Sequence, residues 1–167
     1  TNTLVVAGPD GELGRYAKIH PFSFAGETDH YSPGTQRLTL PIATGGGEVV
    51  RTTFFVCYDL RFADDFWETA ADTDLYVVVA NWPRARRRHW TTLLTARAIE
   101  NQAYVAACNR VGTDGNDVEY SGDSMIIDPL GYALATGAMT DTMVLADVAP
   151  ATVADVRTRF PFMADRR

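Results

Sequence analysis

Residues 75–80, Leu75-Tyr76-Val77-Val78-Val79-Ala80, form an uninterrupted apolar and largely β-branched run. That is the pattern of a strand covered on both faces. The run stops at Asn81-Trp82-Pro83. Residues 86–102 then have helical composition, with Leu93, Leu94, Ala96, Ala98 and Ile99 supplying an apolar face. A second apolar run at 104–108 ends at Asn109-Arg110-Val111-Gly112. Strand, helix and strand in this order require a crossover between neighbouring parallel strands, so the chain belongs to the α/β class. A third apolar run, Phe54 to Val56, stops at Cys57-Tyr58-Asp59. If the three strands lie side by side, Cys57, Asn81 and Asn109 converge on one rim, where open α/β sheets place their chemistry.

The rest of the chain fits around this unit. Residues 3–7 read as a strand, Gly8-Pro9-Asp10-Gly11 as a tight turn, and 13–19 as the second arm of a hairpin with Lys18 in or just after it. His20-Pro21-Phe22-Ser23-Phe24-Ala25-Gly26-Glu27 opposes regular structure. A loop carrying two Phe, a His and a Glu beside a Lys is the kind of segment in which binding groups collect. Residues 37–42 and 48–56 read as strands joined at Gly45-Gly46-Gly47, and 64–71 as a short helix. Further on, 124–127 and 143–148 read as strands, with Asp128-Pro129-Leu130-Gly131 a turn between them. A helix over 151–159 turns Asp155 and Arg157 outward. Residues 1–167 make one domain with no repeat or linker.

The 167 residues carry a net charge of −6, which argues against a nucleic-acid partner. One basic cluster, Arg84-Ala85-Arg86-Arg87-Arg88-His89, lies between Trp82 and Trp90 and points to a local role. Two cysteines are too few for a disulfide framework, and no apolar run approaches the length of a membrane span. The default expectation is a cytoplasmic protein without a membrane partner. No Cys/His spacing suits zinc, and no cofactor is expected. The first residue, Thr1, stands close to an apolar run, which suggests a start inside a larger protein.

A thiol at a strand end is either an inert core residue or a nucleophile. A nucleophile needs a cation to favour the thiolate and donors for the oxyanion. A Cys–His arrangement would draw on His20 or His89, but neither has a specific spacing to Cys57. The alternative is Lys18 with Glu27: Lys18 polarises a carbonyl, the Tyr58 N–H is the second oxyanion donor, and Glu27 orients the lysine or takes part in proton transfer. The bland reading of Lys18 and Glu27 is an ordinary exposed ion pair. Likewise, Arg61 either pairs with Asp59 or Asp64 or touches substrate. Trp82 is pocket wall or core, Cys108 reads as a buried core thiol, and Arg97, Glu100 and Asn101 read as a structural network on their helix.

Several blocks together resemble the nitrilase, or carbon–nitrogen hydrolase, superfamily. They are Tyr16-Ala17-Lys18-Ile19-His20-Pro21-Phe22, Gly26-Glu27, Val56-Cys57-Tyr58-Asp59-Leu60-Arg61-Phe62 and Ala80-Asn81-Trp82-Pro83, continued by residues 94–102, 109–112, 120–124 and 128–131. The resemblance runs over nearly the whole chain and is nearest to the omega-amidase branch. It implies a four-layer α/β/β/α sandwich and a Glu-Lys-Cys triad in which Cys57 matches the nucleophile and Lys18 the lysine. Glu27 matches a second, supporting glutamate. The triad's base lies upstream of the lysine, where this sequence has only Glu12, outside any matching motif. The chain thus resembles the C-terminal portion of such an enzyme, a state expected to leave strand edges and apolar surface open.

The same branch implies hydrolysis of the side-chain amides of 2-oxoglutaramate and 2-oxosuccinamate with release of ammonia, and a homodimer or higher homo-oligomer. Phe24, Tyr58, Arg61, Asn81 and Trp82 are the residues expected to line a pocket for such a small-molecule amide. Alternatives within reach of the sequence are hydrolysis of N-carbamoyl amines or nitriles, or a non-catalytic binding module lacking the base.

Overall fold

The computed structural model describes residues 1–166. Strands β1 (Thr3–Gly8) and β2 (Gly11–Ala17) form an antiparallel hairpin, closed by Gly11 at φ 122°, a conformation that favours glycine. The hairpin stops at Ala17, so Lys18 stands just past its second arm. The remaining strands build one sheet: β3 (Leu38–Ala43), β4 (Val49–Val56), β5 (Leu75–Ala80), β6 (Tyr104–Asn109), β7 (Val111–Thr113), β8 (Glu119–Ile127) and β9 (Ala133–Ala138). Their order is β3-β4-β5-β6-β8-β7, with β9 on the other part of β8. Strands β4, β5 and β6 are parallel neighbours, as the strand–helix–strand reading requires.

Helices α1 (Ala63–Thr69) and α2 (Arg87–Asn101) supply the crossovers. Phe55 of β4 and Tyr76 of β5 meet Phe66 of α1 at ring separations of 4.2 and 5.0 Å, so this face of the sheet is the helix-covered one. Leu94 and Ala98 of α2 join the same core. Helix α2 ends where Gln102 turns left-handed, its N–H donating to the Ala98 and Ile99 carbonyls. The opposite face carries Phe54, paired across the ladder with Leu38. Gly14 of the hairpin packs closely over the side chains of Leu38 and Leu40, so β1 and β2 cover that face.

Four expectations are corrected. Residues 143–148 are not a strand: Met143 and Leu145 project into solvent, and only alternate residues rest against the protein. The strand is instead β9, whose Ala- and Gly-rich composition is a weak β signal and whose pairing is decided by β8. Strand β5 is sealed on one face only, with Tyr76 and Val78 fully buried but Leu75, Val77 and Val79 half-buried. Cys108 is exposed, because alternation along β6 turns Val105, Ala107 and Asn109 inward and Cys108 to that less covered face. Helix α3 (Pro150–Arg159) forms as expected, yet Arg157 points inward and donates to the carbonyls of Ala70, Thr73 and Asn101. No helix among the described residues is long and apolar enough to cross a membrane.

Candidate active site

The parallel register sets Val56 beside Val79 and Val79 beside Cys108, so the chain leaves β4, β5 and β6 along one rim. At the end of β4 the backbone turns abruptly into a 3-10 turn, Cys57–Arg61, and Cys57 itself sits at φ 49°. A non-glycine residue in the left-handed region is strained, and such strain gathers at functional sites. The surroundings hold the turn in place. Asp59, fully buried, accepts from the Tyr16 hydroxyl (2.8 Å), the His20 N–H (2.9 Å) and the Val56 N–H (3.0 Å). Arg97 of α2 closes the far end, donating from Nε and Nη2 to the Leu60 carbonyl. The sequence reading of Arg97 as structural agrees with this.

Lys18 is 3% exposed, and its Nζ meets Glu27 Oε2 at 2.5 Å. This is not a solvated pair. Asn2 Nδ2 donates to the other Glu27 oxygen at 2.8 Å, and the Phe22 N–H donates to Oε2 at 2.6 Å. Burial alone would raise the Glu27 carboxyl, but Lys18, Asn2 and Phe22 together outweigh it and hold the group below the usual glutamate value. Lys18, Glu27 and Cys57 line one cavity of about 500 Å³. Burial pushes the Cys57 thiol up, against the downward pull of the Lys18 ammonium. The thiol lies 3.9 Å from the Asn81 carbonyl.

Cys57 also lines a second cavity, of about 450 Å³. Phe22, Phe24, Tyr58, Arg61, Asn81 and Trp82 line it. All five expected pocket residues are therefore together, although Phe24, 89% exposed, stands at the lip. Trp82 is both wall and core: it lies 5.6 Å from Trp90, while Asn109 receives its N–H and donates back to its carbonyl. Arg61 pairs with neither Asp59 nor Asp64. Its guanidinium lies 4.8 Å from the Trp82 ring and 5.8 Å from that of Tyr58, with His89 Nδ1 3.3 Å from Nη2.

Other candidates fall away from the thiol. His20 Nε2 bonds Asp65 at 2.6 Å and stacks on Phe62, and His89 meets Arg61. Glu12 pairs with Arg15 on the exposed hairpin. Sequence reasoning passed over Asn2, Phe22, Arg86, Asp114 and Tyr120 as site residues. For Arg86 the signal was present in the basic cluster, and for Phe22 in the aromatic loop. Tyr120 stood in the 120–124 block, whereas Asn2 and Asp114 arrive only through tertiary folding. Among the described residues, no group of three or more His, Cys, Asp and Glu is placed to hold a metal ion.

The carbon-nitrogen hydrolase family pattern matches residues 1–158, and the chain belongs to that family. It is similar to an Omega-amidase YafV of Yersinia enterocolitica, at 45% identity over 166 residues, which is 98% of this chain and 62% of that protein. A 2-oxoglutaramate amidase of Bacillus subtilis is 35% identical over 170 residues, covering 99% of this chain and 62% of its own length. A solved CN-hydrolase superfamily protein from Xanthomonas campestris superposes with a TM-score of 0.89 at 42% identity, over 99% of this chain and 63% of that one. That structure carries an arsenic adduct in its active site. The chain spans about 62% of the length of these curated relatives.

Proposed function

We propose that this chain carries the nucleophile of an amidase that hydrolyses the side-chain amides of 2-oxo acids, 2-oxoglutaramate and 2-oxosuccinamate among them. One observation carries the reading: a buried, carboxylate-bound Lys18 shares a cavity with a strained, strand-end Cys57. The likeness to an omega-amidase and a 2-oxoglutaramate amidase supports the choice of substrate.

The Cys57 sulfur attacks the amide carbon, forming a C–S bond while the carbonyl electrons move to oxygen. Lys18 Nζ and the Tyr58 N–H receive that oxyanion, the latter from the first turn of the 3-10 segment, where N–H groups lack intrahelical partners. The C–N bond then breaks, and ammonia leaves with the proton that the thiol gave up. Water adds to the thioester, the C–S bond breaks, and the thiol regains its proton as the acid departs. Glu27 holds the Lys18 ammonium in place through its Oε2. Arg61, Trp82, Tyr58 and Asn81 hold the remainder of the substrate.

Ammonia release from 2-oxoglutaramate, measured for the protein and for Cys57→Ala, tests the reading. Release by the native protein and none by Cys57→Ala is expected. Equal release by both overturns the nucleophile. Activity restricted to N-carbamoyl amino acids overturns the substrate class.

A further inference from the structure

The basic cluster before α2 is only partly neutralised. Arg84 pairs with Glu119 at 3.2 Å and Arg87 with Asp123 at 2.6 Å. Arg86, between them, has no carboxylate partner among the described residues, and it is the one of the three that lines the cavity leading to Cys57. Its backbone is fixed from two sides, the N–H donating to the Pro83 carbonyl (2.9 Å) and the carbonyl accepting from Trp82 Nε1 (2.9 Å). Its guanidinium lies 5.6 Å from the centre of the Phe22 ring. The carboxylate on the same cavity wall, Asp114, is already occupied: the Tyr120 hydroxyl and the N–H groups of Asn116 and Val118 donate to it, and the nearby Arg110 lies over Tyr120.

We infer that Arg86 is a specificity-determining cation of this cavity beside Arg61, a clamp for the carboxylate of an anionic substrate whose other end reacts at Cys57. An arginine laid on an aromatic ring keeps its forked donors free for a planar carboxylate. The ring beneath it is not an isolated prop. The Phe22 N–H donates to the Glu27 oxygen that also receives Lys18 Nζ, so the carboxylate clamp and the oxyanion lysine are joined through one loop. The inference rests on the reading of Cys57 as the reacting thiol.

Protection of Cys57 against iodoacetamide measures the clamp without turnover. The exposed Cys108 is first replaced by Ser, so that only Cys57 reacts. The probe is 2-oxoglutarate, with its uncharged dimethyl ester as control. Arg86→Gln is expected to raise the 2-oxoglutarate concentration that halves alkylation by about tenfold, Arg86→Lys by less, and neither to alter the weak protection by the ester. Unchanged protection by 2-oxoglutarate in Arg86→Gln overturns the inference. So does an equal loss for acid and ester, which would mark a packing role, and so does absence of protection in the native protein. If glutarate protects as well as 2-oxoglutarate and the Arg86 dependence persists, the clamp stands and the 2-oxo acid reading of the substrate falls.

Discussion

The Cys57 thiol is held between two opposing influences, burial and the ammonium of Lys18, and burial prevails. The thiol therefore needs Lys18 more than an exposed cysteine would. Removing the cation while keeping the length of the side chain, as in Lys18→Met, is expected to move the pH profile of iodoacetamide alkylation further upward, in a Cys108→Ser background. An unmoved profile would mean that Lys18 does not act on Cys57. Residue types announced much of this site: a strand-end cysteine, a lysine after a hairpin and a glutamate in an aromatic loop are visible in the chain. The left-handed backbone at Cys57 was not, because no residue preference signals it and only the surrounding bonds impose it. Cys108 was misread for a related reason. Composition says that a cysteine in an apolar run is buried, whereas strand alternation decides which face it occupies.

At the scale of elements, the site depends on a hairpin and a 3-10 turn that meet through one carboxylate. Asp59 receives two donors from the Tyr16–His20 segment, which brings Lys18 in, and one from Val56, which delivers Cys57. Three donors facing two oxygens leave no place for an amide NH₂. Asp59→Asn is thus expected to lose about 1–3 kcal/mol of stability by urea unfolding, with loss of activity beyond what instability explains. Stability within a few tenths of the native value would remove Asp59 from this role. The parallel trio β4, β5 and β6 and the helix α2 were legible because uninterrupted apolar runs and a helical face are strong patterns. Strand β9 was not. Its small residues carry little preference of their own, and it is a strand because β8 offers it a ladder.

Across the whole molecule, charged groups are tied into the fold more often than the surface pattern suggests. Asp74 is buried, and bonds from the Arg51 side chain and N–H outweigh that burial and keep its carboxyl low, as Lys18 and its neighbours do for Glu27. A depressed folded value means that the stabilisation is present above the unfolded carboxylate range of about 4 and is lost as pH falls through the folded value. Asp59 works in the opposite direction, since burial raises it. Urea midpoints are expected to fall as the pH is taken below about 4, and Asp74→Asn to give a shallower fall. Parallel curves for the two proteins would contradict the assignment. The same fold brings three strand ends and a loop to one rim, so that a thiol, a lysine and two arginines surround adjoining cavities.

The central claim is that Cys57 forms a covalent bond with the acyl carbon of an amide. Rapid quenching of the protein during turnover of 2-oxoglutaramate, followed by mass spectrometry of its peptides, tests this most directly. The predicted result is a mass gain equal to the substrate less ammonia, on the peptide that contains Cys57 and lost in Cys57→Ala. Ammonia release with that peptide unmodified throughout, or with the adduct on Cys108, would contradict it.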